Sequence, residues 1–161
     1  MPIKVNAPNP FDMNPERWPY RNRIMSPHIL FVYVEGADLE GVAEQLTGQF
    51  EEFIRSYRWI VSGAFVVNQR HGIETCTSPG DLPLWDLGLN VPLPDPGTEP
   101  PGWFTDIEAI AKFLGKLHRN CGRDFVIGIA NTETGINEDL FNVTTDSPDL
   151  VMLRAIIGVS T

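Results

Sequence analysis

A thiol, an imidazole and a carboxylate fall close together in His71-Gly-Ile-Glu-Thr-Cys76. A cysteine nucleophile needs an adjacent base to hold it as thiolate and a third group to orient that base. In an extended segment Glu74 and Cys76 share one face and His71 takes the other, so spacing alone does not bring the three together. The plainer reading is a turn histidine beside a half-buried thiol, since free cysteine mostly behaves as a small hydrophobe. His118 is the alternative base, but with Arg119 it falls in the last turn of a helical pattern, where cations suit the helix dipole. His28 opens a buried strand-like run and reads as either hydrogen-bonded or at the strand's edge.

Other chemistry-bearing patterns are missing. The chain contains no G-x-G-x-x-G, no G-x-x-x-x-G-K-[ST], no H-E-x-x-H, no G-x-S-x-G and no EF-hand loop. Two cysteines, Cys76 and Cys121, make no disulfide framework and lack zinc-site spacing. The many carboxylates lack the loop spacing calcium requires. The expectation is therefore no catalytic set, no metal and no cofactor.

Charge carries more information than any motif. The chain has 161 residues, 12 Lys+Arg and 21 Asp+Glu, for a net charge of −9. From His71 through Ala111 there are seven acids and no Lys or Arg, and from Asp124 through Leu153 six acids and again no base. Residues up to Pro27 are net +2, from Lys4, Arg17, Arg21 and Arg23 against Asp12 and Glu16, which leaves the remainder at −11. Such a balance disfavours nucleic acid and raises the encounter rate with a basic protein. The candidate partner-binding residues are Glu74, Asp81, Trp85, Asp86, Asp95, Glu99 and Trp103, acids interleaved with two tryptophans. Either tryptophan is an interface anchor or a plug pinning its loop to the core, and the plug is the plainer role.

The elements that position these residues follow from proline and periodicity. Six of 14 prolines lie in the first 27 residues and seven between Pro79 and Pro101. Fixed φ and a missing donor argue against helix or central strand in either tract. Residues 1–27 read as an extended arm pinned by Trp18 and Tyr20, and residues 79–101 as a long acidic loop with a short strand near Leu87–Val91. His28–Val34 is a β-branched and aromatic run that reads as a strand covered on both faces. Asp38 is the expected N-cap of an amphipathic helix striped by Leu39, Leu46, Phe50, Phe53 and Tyr57. Trp59–Val67 is the next expected strand. Thr105-Asp-Ile-Glu108 reads as a capping box opening a second helix that Gly122 closes in the left-handed conformation. Asp124–Ala130 and Leu140–Val143 read as a hairpin. Residues 148–158 suit either helix or strand, and Ser147-Pro148-Asp149 favours helix.

The expected fold is α+β: a single domain over residues 28–161, with two main helices and a short C-terminal one on one face of a mixed or antiparallel sheet. No apolar run reaches the length of a membrane span, and the first residues lack the apolar core of a signal peptide. A cytoplasmic setting suits two reduced thiols. The function these features favour is non-catalytic binding of a basic protein, as an immunity-type inhibitor covers a toxin. A thiol enzyme using Cys76 with His71 or His118, and an assembly subunit docking through its arm, are the alternatives.

Overall fold

The computed structural model describes residues 27–36, 38–61, 63–70 and 85–160. Five strands, β1 (His28–Val34), β2 (Phe65–Arg70), β3 (Trp85–Pro92), β4 (Phe125–Asn131) and β5 (Asn137–Val143), form one sheet in the order β2-β3-β1-β4-β5. Every pairing is antiparallel. Three helices, α1 (Ala43–Ser56), α2 (Phe104–Cys121) and α3 (Leu150–Ser160), complete the α+β arrangement.

The pleat sorts β1 by parity. Leu30, Val32 and Val34 enter the helix-side core with Leu87, Leu89 and Val91 of β3 and Phe125, Ile127 and Ile129 of β4. Leu46 and Phe50 of α1, Ile107, Ile110, Leu114 and Leu117 of α2, and Leu153 and Ile157 of α3 close over them. Ile29 and Phe31 are buried on the opposite face, so the strand is covered on both sides, as its unbroken apolar run implies.

The short strand expected near Leu87–Val91 is present and longer, running from Trp85 to Pro92, and it lies centrally between β2 and β1 rather than within a loop; residues 85–91 contain no proline. Pro92 is the last strand residue, and pairing yields to a loop at Leu93, whose N–H donates to the His28 carbonyl at 3.1 Å. Gly88 lies where β3 approaches β1 so closely that a Cβ would collide with the Val32 carbonyl.

Several boundaries move, each for a local reason. α1 begins at Ala43 with Val42 as N-cap and no side-chain cap, so Asp38 is not the cap. A turn precedes it, with the N–H groups of Val42 and Ala43 both donating to the Leu39 carbonyl. α2 begins at Phe104 with Trp103 as N-cap, which places Thr105 inside the helix and removes the expected capping box. Its end is as read: Gly122 adopts φ 72° and donates to the His118 carbonyl. Residues 150–160 are helical, with the Asp149 carboxylate accepting from the Met152 N–H at 3.0 Å, two residues later than the expected Ser147 cap. β5 starts at Asn137, three residues before the expected Leu140.

Trp59–Val61 is not strand, and Asp106 explains why. This carboxylate is 2% exposed in the first turn of α2. It accepts from the Ile60 N–H at 3.1 Å, the Val61 N–H at 2.8 Å and the Tyr57 hydroxyl at 3.1 Å. The amides that would pair in a ladder are committed to an anion. β2 therefore begins only at Phe65, after Gly63 turns the chain at φ 106°. Trp59 packs with Phe53 and Tyr57 instead, and its indole donates to the Ile54 carbonyl at 3.0 Å.

Three substitutions test this account of packing. Gly88→Ala should cost about 3 kcal/mol through backbone overpacking, whereas Gly48→Ala, in an open stretch of α1 with nothing within 4 Å of the added Cβ, should gain about 0.5–1 kcal/mol. Asp106→Ala should cost about 3 kcal/mol by stranding buried donors. Urea denaturation reads all three, and a near-neutral Asp106→Ala would refute the role given to that carboxylate.

Candidate functional site

On the face of the sheet away from the helices, the strands bring several ionisable side chains together. Phe31 lies against Gly128, where a Cβ would fall into its ring. Tyr33 stacks on Phe31 with ring centroids 6.0 Å apart. That packing aims the phenol across β4, and its hydroxyl donates to Asp139 Oδ2 of β5 at 2.8 Å. A register shift between Ile127 and Gly128 sets Asp139, rather than Leu140, opposite Gly128. The bulge thus re-aims an acid onto this face.

Tyr33 reports the local field. Burial first, then the hydrogen bond and charge of Asp139, then the charges of Glu35 and Asp86, push its phenol above the ordinary tyrosine range. Three carboxylates from β5, from the residue after β1 and from β3 therefore act on one hydroxyl. Glu35 and Asp139 are exposed and Asp86 is half-buried. Chemically, such a patch can attract and hold cationic side chains; it presents no nucleophile with a base.

Of the seven sequence-derived residues, the five that are described do not gather at one place. Glu74 and Asp81 lie outside the described residues, as do His71 and Cys76 and all of the arm before Pro27. Trp85 is the first residue of β3 and Asp86 follows it beside Tyr33. Asp95 and Glu99 lie past the other end of β3, about 20 Å away by strand rise. There they join a turn: the Thr98 N–H and hydroxyl donate to the Asp95 carbonyl, and the Gly97 N–H donates to Glu99 Oε2 at 3.0 Å. Trp103 is half-buried against the core, edge-on to Phe104 at 5.4 Å. It acts as a plug. Tyr33, Glu35 and Asp139 were not singled out from sequence; the alternation within His28–Val34 placed Tyr33 on the second face, but nothing local announced the bulge that brings Asp139 to it.

Other candidates resolve into structure. His118 Nδ1 lies 2.9 Å from the Arg123 carbonyl and 3.3 Å from Asp124 Oδ1, at the C-terminal end of α2. The carbonyl can only accept, so Nδ1 carries the proton and the ring closes the helix end. Cys121 Sγ accepts from the Arg123 N–H at 3.4 Å. Among the described residues no three His, Cys, Asp or Glu side chains converge as a metal site, and no helix is long and apolar enough to cross a membrane. An open groove of about 400 Å³ between α1 and α2 is lined by Glu44, Gly48, Glu52, Phe53 and Phe113. Its acids belong to the exposed face of α1. No protein-family model, curated protein or solved structure matches the chain.

Two titrations follow from this geometry. Asp139→Asn removes the carboxylate charge and weakens the charge-assisted bond that holds the phenol neutral, so Tyr33 should ionise at lower pH, read by phenolate absorbance with Tyr33→Phe as the assignment control. Tyr57 is pushed up to about 12 by burial first and then by its bond to Asp106 and that carboxylate's charge. A folded-state value above the unfolded one makes its contribution fully present below about pH 10 and lost as pH rises through about 12. Stability should therefore fall over that window, and Tyr57→Phe should flatten the fall; an equally steep decline in Tyr57→Phe would refute the assignment.

Proposed function

We propose that this domain is a non-catalytic binding module that docks a basic protein through the acidic face around Tyr33. The single observation that carries the reading is the Tyr33–Asp139 hydrogen bond across β4, in a register that sets Gly88 of β3 opposite Tyr33 and so brings Asp86 and Glu35, each two residues along its chain, to the same side. The charge of −11 on residues 28–161 supports it, because a net field steers a cationic partner before contact and a local cluster then sets orientation. An inhibitor that covers the cationic cleft of a toxin, in the cytoplasmic setting two cysteines suit, is the concrete form this takes. In that form Asp86 belongs to the docking face, and Asp95 and Glu99 supply field from the far end of the sheet.

Glu35→Gln, Asp86→Asn and Asp139→Asn together remove three charges with little change of shape. With a basic partner captured from the source cell, the triple variant should associate about tenfold more slowly at low ionic strength, and the deficit should shrink as salt rises. A matched triple on the exposed face of α1 (Glu44→Gln, Glu51→Gln, Glu52→Gln) removes the same charge and should slow association far less. Stopped-flow rates at two salt concentrations decide. Equal slowing by both triples would leave only net charge and overturn the docking face.

A further inference from the structure

The outer surface of the helix layer is divided by charge. Between residues 71 and 153, Lys and Arg occur only at positions 112, 116, 119 and 123. Arg123 donates to the Asp38 carbonyl at 2.6 Å. Lys112, Lys116 and Arg119 recur at steps of four and three, so they share one stripe of α2. All three are exposed and make no ion pair among the described residues. The exposed stripe of α1 carries Glu44, Glu51 and Glu52 against Arg55, which pairs with Glu52 of its own helix. Between the acidic and basic stripes runs the groove of about 400 Å³, lined by the stacked rings of Phe53 and Phe113.

The two helices run antiparallel. Tyr57, just past the end of α1, bonds Asp106 in the first turn of α2, whereas Phe50 packs edge-on against Phe113, two turns further on. Going back along α1 therefore means going forward along α2. By helix rise, Glu52 stands level with Lys112, Gly48 with Lys116 and Glu44 with Arg119, to within about one turn.

We propose that this face binds a second copy of the chain, about a two-fold axis running along the groove. Such an axis lays α1 of one copy over α2 of the other without sliding either along its length, and every neighbouring pair is antiparallel, as in a four-helix bundle. Glu52 of each copy then faces Lys112 of the other, and Glu44 faces Arg119. The alternative axis, across the helices, sets α1 on α1 and opposes glutamate with glutamate. Charge selects the first. An isologous interface must be complementary to itself, and a patch with opposite signs on the two sides of an apolar seam meets that requirement.

Two further features suit the same occupant. Phe53 and Phe113, half-buried in the single chain, become the apolar centre. Gly48, midway along α1, carries no side chain, and a Cβ there would meet nothing within 4 Å; its bare backbone lets an opposed helix come close. The acidic face around Tyr33 lies on the other side of the sheet and stays open in both copies. The patch is small, about 21 Å long by about 20 Å across, so the dimer belongs with weak, concentration-dependent interfaces.

Sedimentation equilibrium of the full chain alone tests this, apart from any basic partner. The wild type should pass from monomer to dimer as its concentration rises through about 10–100 µM. Glu44→Lys with Glu52→Lys makes both stripes basic, and Lys112→Glu with Arg119→Glu makes both acidic. Each double variant should weaken self-association about tenfold or more. An equimolar mixture of the two should restore a dimer, because every acidic stripe then meets a basic one. Gly48→Gln adds bulk at an open position of the single helix, and it should also break the dimer while the circular dichroism spectrum stays unchanged. A wild type that remains monomeric to about 1 mM, or a dimer that survives both charge reversals, would overturn the proposal. So would a mixture that stays monomeric, or a Gly48→Gln dimer as tight as the wild type.

Discussion

The structure hangs on the central strand. His28–Val34 is paired along its length with β4 and through five residues with β3, so its backbone is committed on both sides. Its side chains are then divided strictly by the pleat. Leu30, Val32 and Val34 supply the floor on which all three helices rest, and Ile29, Phe31 and Tyr33 supply the opposite surface. A slip of one residue would exchange the two sets, sending Tyr33 into the helix core and Val32 onto the acidic face. The close approach at Gly88 and the Phe31 ring against Gly128 add steric locks on that register, one on each flank.

Against this apolar frame, one buried anion organises the connection between layers. Asp106 sits in the first turn of α2, where a carboxylate also suits the helix dipole, and it gathers donors from residues 57–61. The connection from α1 is thereby fixed to α2 before the chain enters β2. The stacked rings of Phe53 and Phe113, 4.3 Å apart, tie α1 and α2 to each other directly. At the same N-terminal end of α2, Arg154 of α3 pairs with Glu108 at 2.8 Å and lies over the Phe104 ring. Both pairings are short-range consequences of where α2 lies on the sheet.

Electrostatics enter at two scales. The long acid-only tracts give the molecule its field, and distance along the chain matters little there. Orientation is a local property, and locally the tracts separate: Asp86 belongs with Tyr33, while Asp95 and Glu99 close a turn beyond the opposite end of β3. The patch around Tyr33 draws instead on residues 35, 86 and 139, whose only common feature is the face they share.

The sequence by itself determined the kind of fold, because periodicity and end signals are local. The unbroken run of β1, the stripe of α1, the glycine stop of α2 and the β4–β5 hairpin were all legible from neighbours a few positions apart. So was the burial of β1 on both faces. Tertiary structure decided the rest. Trp59–Val61 reads as strand by composition, and only Asp106, some 45 positions away, takes its amides out of the sheet. The segment near Leu87–Val91 reads as only a short strand within a loop because of its proline-rich surroundings, yet pairing on both flanks makes Trp85–Pro92 a central strand. The acids at 79–101 read as one surface because they are close in the chain, whereas strand rise carries Asp86 to one end of β3 and Asp95 and Glu99 beyond the other. Tyr33 and Asp139 meet through a bulge that no local pattern signals. Contacts of this kind depend on register and on distant donors, and those exist only once the strands have paired.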